Sequence, residues 1–559
     1  MPLDDYKGPK LSRRNALRAG FGVAVAAQLA MIEQTAFTPN RAAAATHHVR
    51  PSPKAASTNG ASFPDIQFDI GNFISPPVTL NDGGGTLQAS FGPVFTYFVP
   101  ATFVRRPTFN DLQTFDYASN TIEDFFSFSP SGIFVFQGYG VPYFNLLPGG
   151  INGSLVQSFM PQLRSGKNPD GTTNVLAEAV PSPTDVVGGL VGGPGAPVPN
   201  KTKDRFNVNV TIEQNHMLWM LRSDSISNLN NVLAWMKGSN NLAGNSVQSP
   251  PFGGLLKFGT TRVQFVQRGL PAQMANSNNF EFAPRVNPDS PMWMGFLDQQ
   301  VDSTGPAAIT TFAGNNSARL TSAVPGDYFD NGAIAHFSHV IEDLYQFYST
   351  PNQDSNRPDG EPFTERCQYM FRSNQLGTTN GIPAAGNTDQ FTNGGGPAFV
   401  NNVFQGTNAA TLGAQDSGGL FAPGNQTLNA TFTGLGRVGH EAALQRVSRA
   451  ADGTPIHIRM DGPGLDAMDV PAFRTFPGAN GVNVPAGSNQ FKLEFAMFVP
   501  TADFFAQMRI AAAAQDLQHQ FLNDEDDDNG LERFITATRR QNFLVPPRRH
   551  RAFPLLELT

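Results

Sequence analysis

Residues 91–104 read FGPVFTYFVPATFV, a run dense in aromatic and β-branched side chains of the kind a pleated, half-buried surface accommodates best. It reads as a strand. Phe109 to Phe128 then carry apolar residues at helical spacing, and Gly132–Tyr139 (GIFVFQGY) returns to strand. Further strands are expected at Asn207–Gln214 and Met217–Arg222, with a helix over Ile226–Met236. Strand–helix–strand–helix order with antiparallel-type alternation predicts an α+β sandwich. A second half begins near Phe280. It has a strand at Gly332–Val340, an amphipathic helix at Ile341–Tyr348, a strand at Phe491–Pro500 (FKLEFAMFVP) and a helix at Thr501–Ala514.

Between these elements lie two stretches of different composition. Residues 163–203 are rich in Pro, Gly and polar residues and read as a long surface insertion. Ser373 to about Thr433 is loaded with Gly, Asn and Thr and reads as a second one. At 559 residues the chain exceeds what one core supports, so two domains are expected, 63–279 and 280–559.

Composition narrows the function. Phenylalanine, with 47 residues against 9 Tyr and 3 Trp, is abundant enough to fill cores and to line a pocket for a large flat ligand. A net charge of −7 argues against nucleic acid, because phosphate binding needs a basic face. The single cysteine, Cys367, excludes an intramolecular disulfide and a cysteine-based zinc or iron–sulfur site, and reads as a buried small apolar residue.

The N-terminus reads as an export signal. SRRNALR (12–18) is a twin-arginine motif, followed by the weakly apolar run AGFGVAVAAQLAMI and by small residues at Ala42–Ala45 that offer a cleavage site. Residues 1–45 are therefore expected to be a signal peptide and 46–62 a disordered leader. The apolar run is too short and too rich in Gly and Ala for a stable membrane span. Twin-arginine export carries folded proteins, often with a cofactor already inserted. Self-association into a homo-oligomer is left open by the sequence.

Several residues could carry chemistry. In GRVGHEAALQRVSRAADGTPIHIRMD (436–461), His440 precedes Arg459 by 19 residues. A neutral imidazole can ligate haem iron. Arg459, on a strand that would set His457 on the same face, can stabilise an anion left by peroxide cleavage. Asp298, in MWMGFLDQQVD, could move a proton to and from peroxide, although a turn is the ordinary use of such an aspartate. His336 and His339 face opposite ways if their segment is a strand, which argues against a shared metal. The acidic run 523–530 departs from a calcium loop, with Asn529 at position six and Ile535 at position twelve. No nucleophile elbow, P-loop or dinucleotide fingerprint occurs.

Taken in order, these pieces resemble the dye-decolourising peroxidase family. GFLDQQ (295–300) resembles the family's G-F-x-D-G motif, and DNGAIAHFSHVIEDLYQFY (330–348) its glycine-led strand and acidic-aromatic helix. The stretch 436–461 resembles its proximal-histidine and distal-arginine region, and ERFITATRRQNFLVPPRR (532–549) its closing segment. The resemblance implies two ferredoxin-like α+β domains of the dimeric α/β-barrel type with antiparallel sheets. It also implies haem b in the C-terminal domain, His440 as axial iron ligand, Asp298 as distal acid–base group and Arg459 as distal arginine. Hydrogen peroxide and a bulky reducing substrate would be the partners, together with the twin-arginine machinery. The chain departs from the pattern at Gln299, where the motif has glycine. It departs again in ERCQYMFR (365–372), where Phe371 stands before Arg372, the residue matched to the propionate-binding arginine. A second registration takes His457 as the iron ligand and Arg474, in the Pro/Gly-flanked loop PAFRTFPGANG, as the distal arginine. Two rivals stand beside peroxidase activity: a haem- or iron-handling protein without efficient peroxide chemistry, and a haemless exported protein that keeps the fold.

Overall fold

The expected first strand forms β1 (Phe95–Phe103), and the chain then builds α1 (Phe109–Phe125), β2 (Phe134–Tyr139), β3 (Met217–Ser223) and α2 (Ile226–Met236). In this computed structural model the described residues are 63–81, 86–191, 208–280, 282–294, 307–314, 320–348, 456–466, 490–513, 532 and 534–559. Short paired strands at 352–354, 357–361, 378–379, 382–383, 473–474 and 483–484 complete them. Two short strands close the first half, β4 (Leu256–Phe258) and β5 (Arg262–Phe265). The second half supplies β6 (Ala333–Glu342), α3 (Leu344–Tyr348), β7 (Ile458–Arg459) and β8 (Gly462–Asp466). It ends with β9 (Gln490–Val499), α4 (Ala502–Ala512) and β10 (Ile535–Val545).

Both halves join one 11-stranded sheet in the order β4–β1–β3–β2–β10–β6–β9–β7, with β5 also on β1 and β8 also on β9. The pairings are antiparallel except that Thr211–Ile212 runs parallel to β10. The architecture is α+β, as expected. The sheet is not a flat layer, however, because it curls until β5 reaches β8. Two glycines make that approach: a Cβ on Gly464 would sit 2.8 Å from the Val263 carbonyl oxygen, and one on Gly462 would sit 2.3 Å from Val266 Cγ2. Gln264 bridges the seam, its Nε2 donating to the carbonyls of Met460 (2.8 Å) and Glu494 (3.1 Å).

Curling gives the sheet an inside and an outside. Inside, Phe98, Phe134 and Met220 of the first half meet Phe337, Phe498 and Phe543 of the second. The Phe98 and Phe337 rings stack with centroids 4.4 Å apart. Outside, α1 and α2 cover the first half, with Phe115 against Trp219 at 4.6 Å. Ser225 starts α2 by accepting the Asn228 backbone N–H.

One end of the interior is charged. Arg262, His339, Lys492 and Glu494 are each at most 2% exposed. Arg262 Nη2 donates to Glu213 at 2.5 Å while its guanidinium lies 4.7 Å over the Phe337 ring, and His339 Nε2 is 3.6 Å from Glu494 Oε1. Burial pushes the Glu494 carboxyl up and the Lys492 ammonium down, each toward its neutral form.

Three expectations change. The strand Ala333–Glu342 runs two residues past Val340, and the following helix starts at Leu344 instead of Ile341. Val340 and Ile341 are β-branched and pair on both sides, with Leu493 and Lys492 and with Ala537 and Thr536. The strand expected at Asn207–Gln214 is reduced to Thr211–Ile212 among the described residues. Residues 163–191, expected as part of a surface insertion, pack inward: Val175, Leu176, Asp185 and Val186 are at most 2% exposed. Their apolar side chains belong to the main core, which no composition count could reveal.

The Phe98–Phe337 pair joins the two halves, so Phe337→Ala should destabilise the protein by about 3–5 kcal/mol. Urea unfolding followed by tryptophan fluorescence measures it, and a loss under about 1 kcal/mol would show that the interior is not tightly packed at this seam.

Candidate functional site

Alternation along β6 decides where the chemistry lies. Ala335, Phe337 and His339 point into the barrel, so His336, Ser338, Val340 and Glu342 point out. The neighbouring strands follow the same rule. Leu493, Phe495 and Met497 of β9 share that outer face, as do Ile535 and Ala537 of β10. A register shift opposite His339/Val340 then returns Arg540 and Asn542 to the same face. Helix α4 lies across it with Phe505, Met508 and Arg509, enclosing a cavity of about 80 Å³.

Arg459 reaches this cavity from β7, where it pairs with Met497. Part of its side chain touches solvent, but Nη2 is sealed from it. Burial lowers its pKa, and Asp461, also in the cavity wall, partly offsets that. Glu342 lines the same space. Burial first, and then the Asp461 charge, push its carboxyl up to about 8, so it is protonated at neutral pH. Its Oε2 has no hydrogen-bond partner. A guanidinium with one nitrogen sealed from solvent and a neutral carboxylic acid thus line one small cavity, a donor set able to stabilise an anion and to supply a proton.

The opposite wall is held by ion pairs. Arg540 grips Asp185 through Nε (2.6 Å) and Nη2 (2.8 Å), and its Nη1 donates to Ser338 Oγ at 2.7 Å. Ser338 and Asn542 occupy both ring nitrogens of His336, at 2.6 and 2.7 Å. Burial, then the Arg540 charge, hold His336 well below its ordinary pKa. It is a neutral imidazole with no nitrogen left for a metal. Arg509 likewise holds Glu532 at 2.6 Å. Burial alone would raise the Asp185 carboxyl, but the Arg540 guanidinium outweighs it and keeps the pKa below its ordinary value.

Of the residues singled out in the sequence, Arg459 stands in this cavity. Asp298, Arg372 and His440 lie outside the described residues, as do the signal and leader 1–62, Cys367 and the acidic run 523–530. His457 is buried beside Arg459 and does not line the cavity. Arg474, expected in a loop, is on the strand Phe473–Arg474 paired with Asn483–Val484, because backbone pairing there overrides the flanking Pro and Gly signals. His336 and His339 face opposite sides of the sheet, as a strand requires. No cluster of three metal-ligating side chains and no helix long and apolar enough to cross a membrane occurs among the described residues. Sequence reading missed Glu342, Asp185, Arg509, Glu532 and Arg540. For Glu342 a signal existed, since AIAHFSHVIE places it two-fold in phase with His336 and Ser338; for Asp185 there was none.

Residues 195–376, less than half of the chain, match the model of a family of unknown function (DUF7405). No curated protein matches. Among solved structures the chain is similar to the encapsulated DyP-type peroxidase of Mycobacterium smegmatis, at 12% identity and a TM-score of 0.40, over 82% of this chain and 96% of that one. It is similar to a DyP-type peroxidase of Cellulomonas bogoriensis at 11% identity and a TM-score of 0.41, over 81% and 90% of the two chains. A DypB variant of Rhodococcus jostii RHA1 in complex with heme shows 11% identity and a TM-score of 0.38, over 83% and 96%. The α+β assignment rests on the chain's own strand pairing.

The raised Glu342 pKa carries a stability consequence. The folded protein holds this proton between about pH 4.5 and 8 while the unfolded chain releases it, so stability contributed by this site falls as pH rises through that window. The slope is at most about 1.4 kcal/mol per pH unit. Glu342→Gln removes it, so the variant's melting temperature should gain on the wild type between pH 5 and pH 8. Parallel pH profiles of the two proteins would sink the assignment.

Proposed function

We propose that this chain is an exported haem-dependent peroxidase of the dye-decolourising type, which reduces hydrogen peroxide at the expense of a bulky organic reductant. One observation carries the reading: Arg459, matched by its motif to the family's distal arginine, lines a partly enclosed cavity together with the protonated acid Glu342. The donor set fits the peroxide-facing side of a haem. So does the size, since about 80 Å³ holds two or three water-sized molecules and is far below the 300–1,000 Å³ of a site for an organic ligand. A cavity of this size supports a seat for peroxide and not for the macrocycle.

On this reading His440 would hold the haem iron and Arg372 a propionate, with His457 the less favoured ligand. Haem, if bound, would supply the redox chemistry that reduces peroxide. Arg459 keeps a fixed positive charge beside the departing oxygen, where partial enclosure by Phe505 and Met508 strengthens it. Asp298 would carry a proton from one peroxide oxygen to the departing one, which leaves as water, and Glu342 holds its own proton in the cavity that Arg459 lines. The ion pairs Asp185–Arg540 and Arg509–Glu532 keep the wall rigid, which pre-organises these groups. Phe505 and Met508 exclude bulk water. The twin-arginine motif Arg13-Arg14 directs the folded protein out of the cytoplasm.

Haem reconstitution of the purified chain should give a Soret band that His440→Ala abolishes. Arg459→Leu should keep the band and lower peroxide turnover about 10²–10³-fold. A specific observation favours a second reading: α4 already lays Phe505 and Met508 on the sheet, as a haemless protein of this fold would. Absence of a Soret band with added haem establishes that reading instead. Replacing Arg13 and Arg14 together with lysine should leave the protein in the cytoplasm on cell fractionation, and unchanged export would remove the twin-arginine assignment.

A further inference from the structure

One end of the barrel is closed by the first described residues of the chain, Phe63–Ile70, which follow directly on residues 46–62, expected as the leader. We propose, resting on the twin-arginine reading, that Pro64–Ile70 is a latch that docks only onto the finished barrel and so couples completion of the fold to export. Packing places it: Phe68 stacks on Phe498 with centroids 4.3 Å apart, and Ile70 joins the interior cluster that holds Phe136 and Phe543. Hydrogen bonds then fix it. Gln67, fully buried, accepts the Gln137 backbone N–H at 2.9 Å and donates Nε2 to the carbonyls of Gln137 (3.2 Å) and Pro546 (2.7 Å).

The two halves of the sheet meet where β2 lies beside β10, and this joint is thin. Tyr139–Leu544 is its register pair, whereas all of β6 pairs with β10. Gln67 spans the joint, because Gln137 stands on β2 and Pro546 follows β10. The start of the latch is tied to the same segment. The Pro64 carbonyl accepts Arg548 Nε at 2.9 Å, and the Asp65 carbonyl accepts the Arg548 N–H at 2.6 Å. The Asp65 carboxylate pairs with the Arg549 guanidinium and accepts Asn331 Nδ2 at 2.9 Å. Gln137 is 70 residues away along the chain and Pro546 is 479 away, so nothing local builds this dock. It exists only once the last strand has joined the two halves, which makes docking a late step in folding. Until then Ile66, Phe68 and Ile70 form an uncovered apolar run just after the leader. Once docked that run is covered, and Phe63 packs edge-on to Phe128 at 5.3 Å, which fixes the residue that joins the leader.

The test is a full-length chain carrying Asp65→Ala and Gln67→Ala together, which unfastens the latch and keeps Phe68. Purified, it should retain the wild-type far-UV circular dichroism while chymotrypsin cuts after Phe68 about tenfold faster. In a bacterial host, pulse-chase fractionation should show its export slowed about threefold or more. Phe115→Leu, which weakens the core under α1 away from the latch, should lower the melting temperature at least as much and leave export near the wild-type rate. Equal slowing by Phe115→Leu overturns the latch, because export then follows overall stability. Unchanged cleavage after Phe68 overturns the docking, and a double variant that does not fold at all overturns it too, since Pro64–Ile70 would then belong to the core. Replacing Arg13 and Arg14 with lysine separates the two readings. Export unaffected by the lysines marks failure of the twin-arginine assignment; export blocked by the lysines and unaffected by the latch variant marks failure of the latch.

Discussion

The pairing of Ala333–Glu342 between Gln490–Val499 on one side and Ile535–Val545 on the other is the constraint on which the rest of the structure depends. Side chains alternate along a strand, so this one register sends Phe337 into the barrel against Phe98 and turns Ser338 and Glu342 outward to the cavity under α4. A slip of one residue would exchange the two sets, burying Glu342 among phenylalanines and exposing Phe337 to the ion pairs. Strand packing and candidate chemistry are therefore two faces of a single hydrogen-bonded ladder.

That ladder also explains how so much charge is tolerated inside. Lys492 and Glu494 alternate with Phe491, Leu493 and Phe495, which taken alone describes an amphipathic strand with one wet face. Closure of the barrel turns the expected wet face into an interior, and the charges survive there by opposing one another and by moving toward neutral forms. The outer face solves the same problem differently. Asp185 keeps its charge because its bidentate pair with Arg540 compensates burial, while Glu342, lacking such a partner, keeps its proton instead.

Much of this was legible in advance. The helix Ile226–Met236 forms with the limits read from its apolar spacing, and the strands at 95–103, 134–139 and 490–499 fall inside or within a residue of their expected spans. Arg459 could be singled out because a motif marks it. Less was legible where composition misleads: 163–191 reads as surface by its Pro and Gly content, yet it contributes Val175 and Leu176 to the core and Asp185 to the cavity. Tertiary contacts override local composition when the few apolar residues of a segment find a core to join.

Left to itself, the sequence determined which segments are strands or helices, since period and propensity act over a few neighbouring residues. It also determined the chain's net charge and, with a single cysteine, that no intramolecular disulfide can form. Only the tertiary structure decided that Asp185 meets Arg540 across 355 residues, that Lys492 and Glu494 lie inside a closed barrel, and that Glu342 and Arg459 line one cavity. The reason is range. A residue's type and spacing govern its own turn or pleat, whereas burial and partners are set by which distant strands close on one another, and it is burial that turns an ordinary glutamate into an acid protonated at neutral pH.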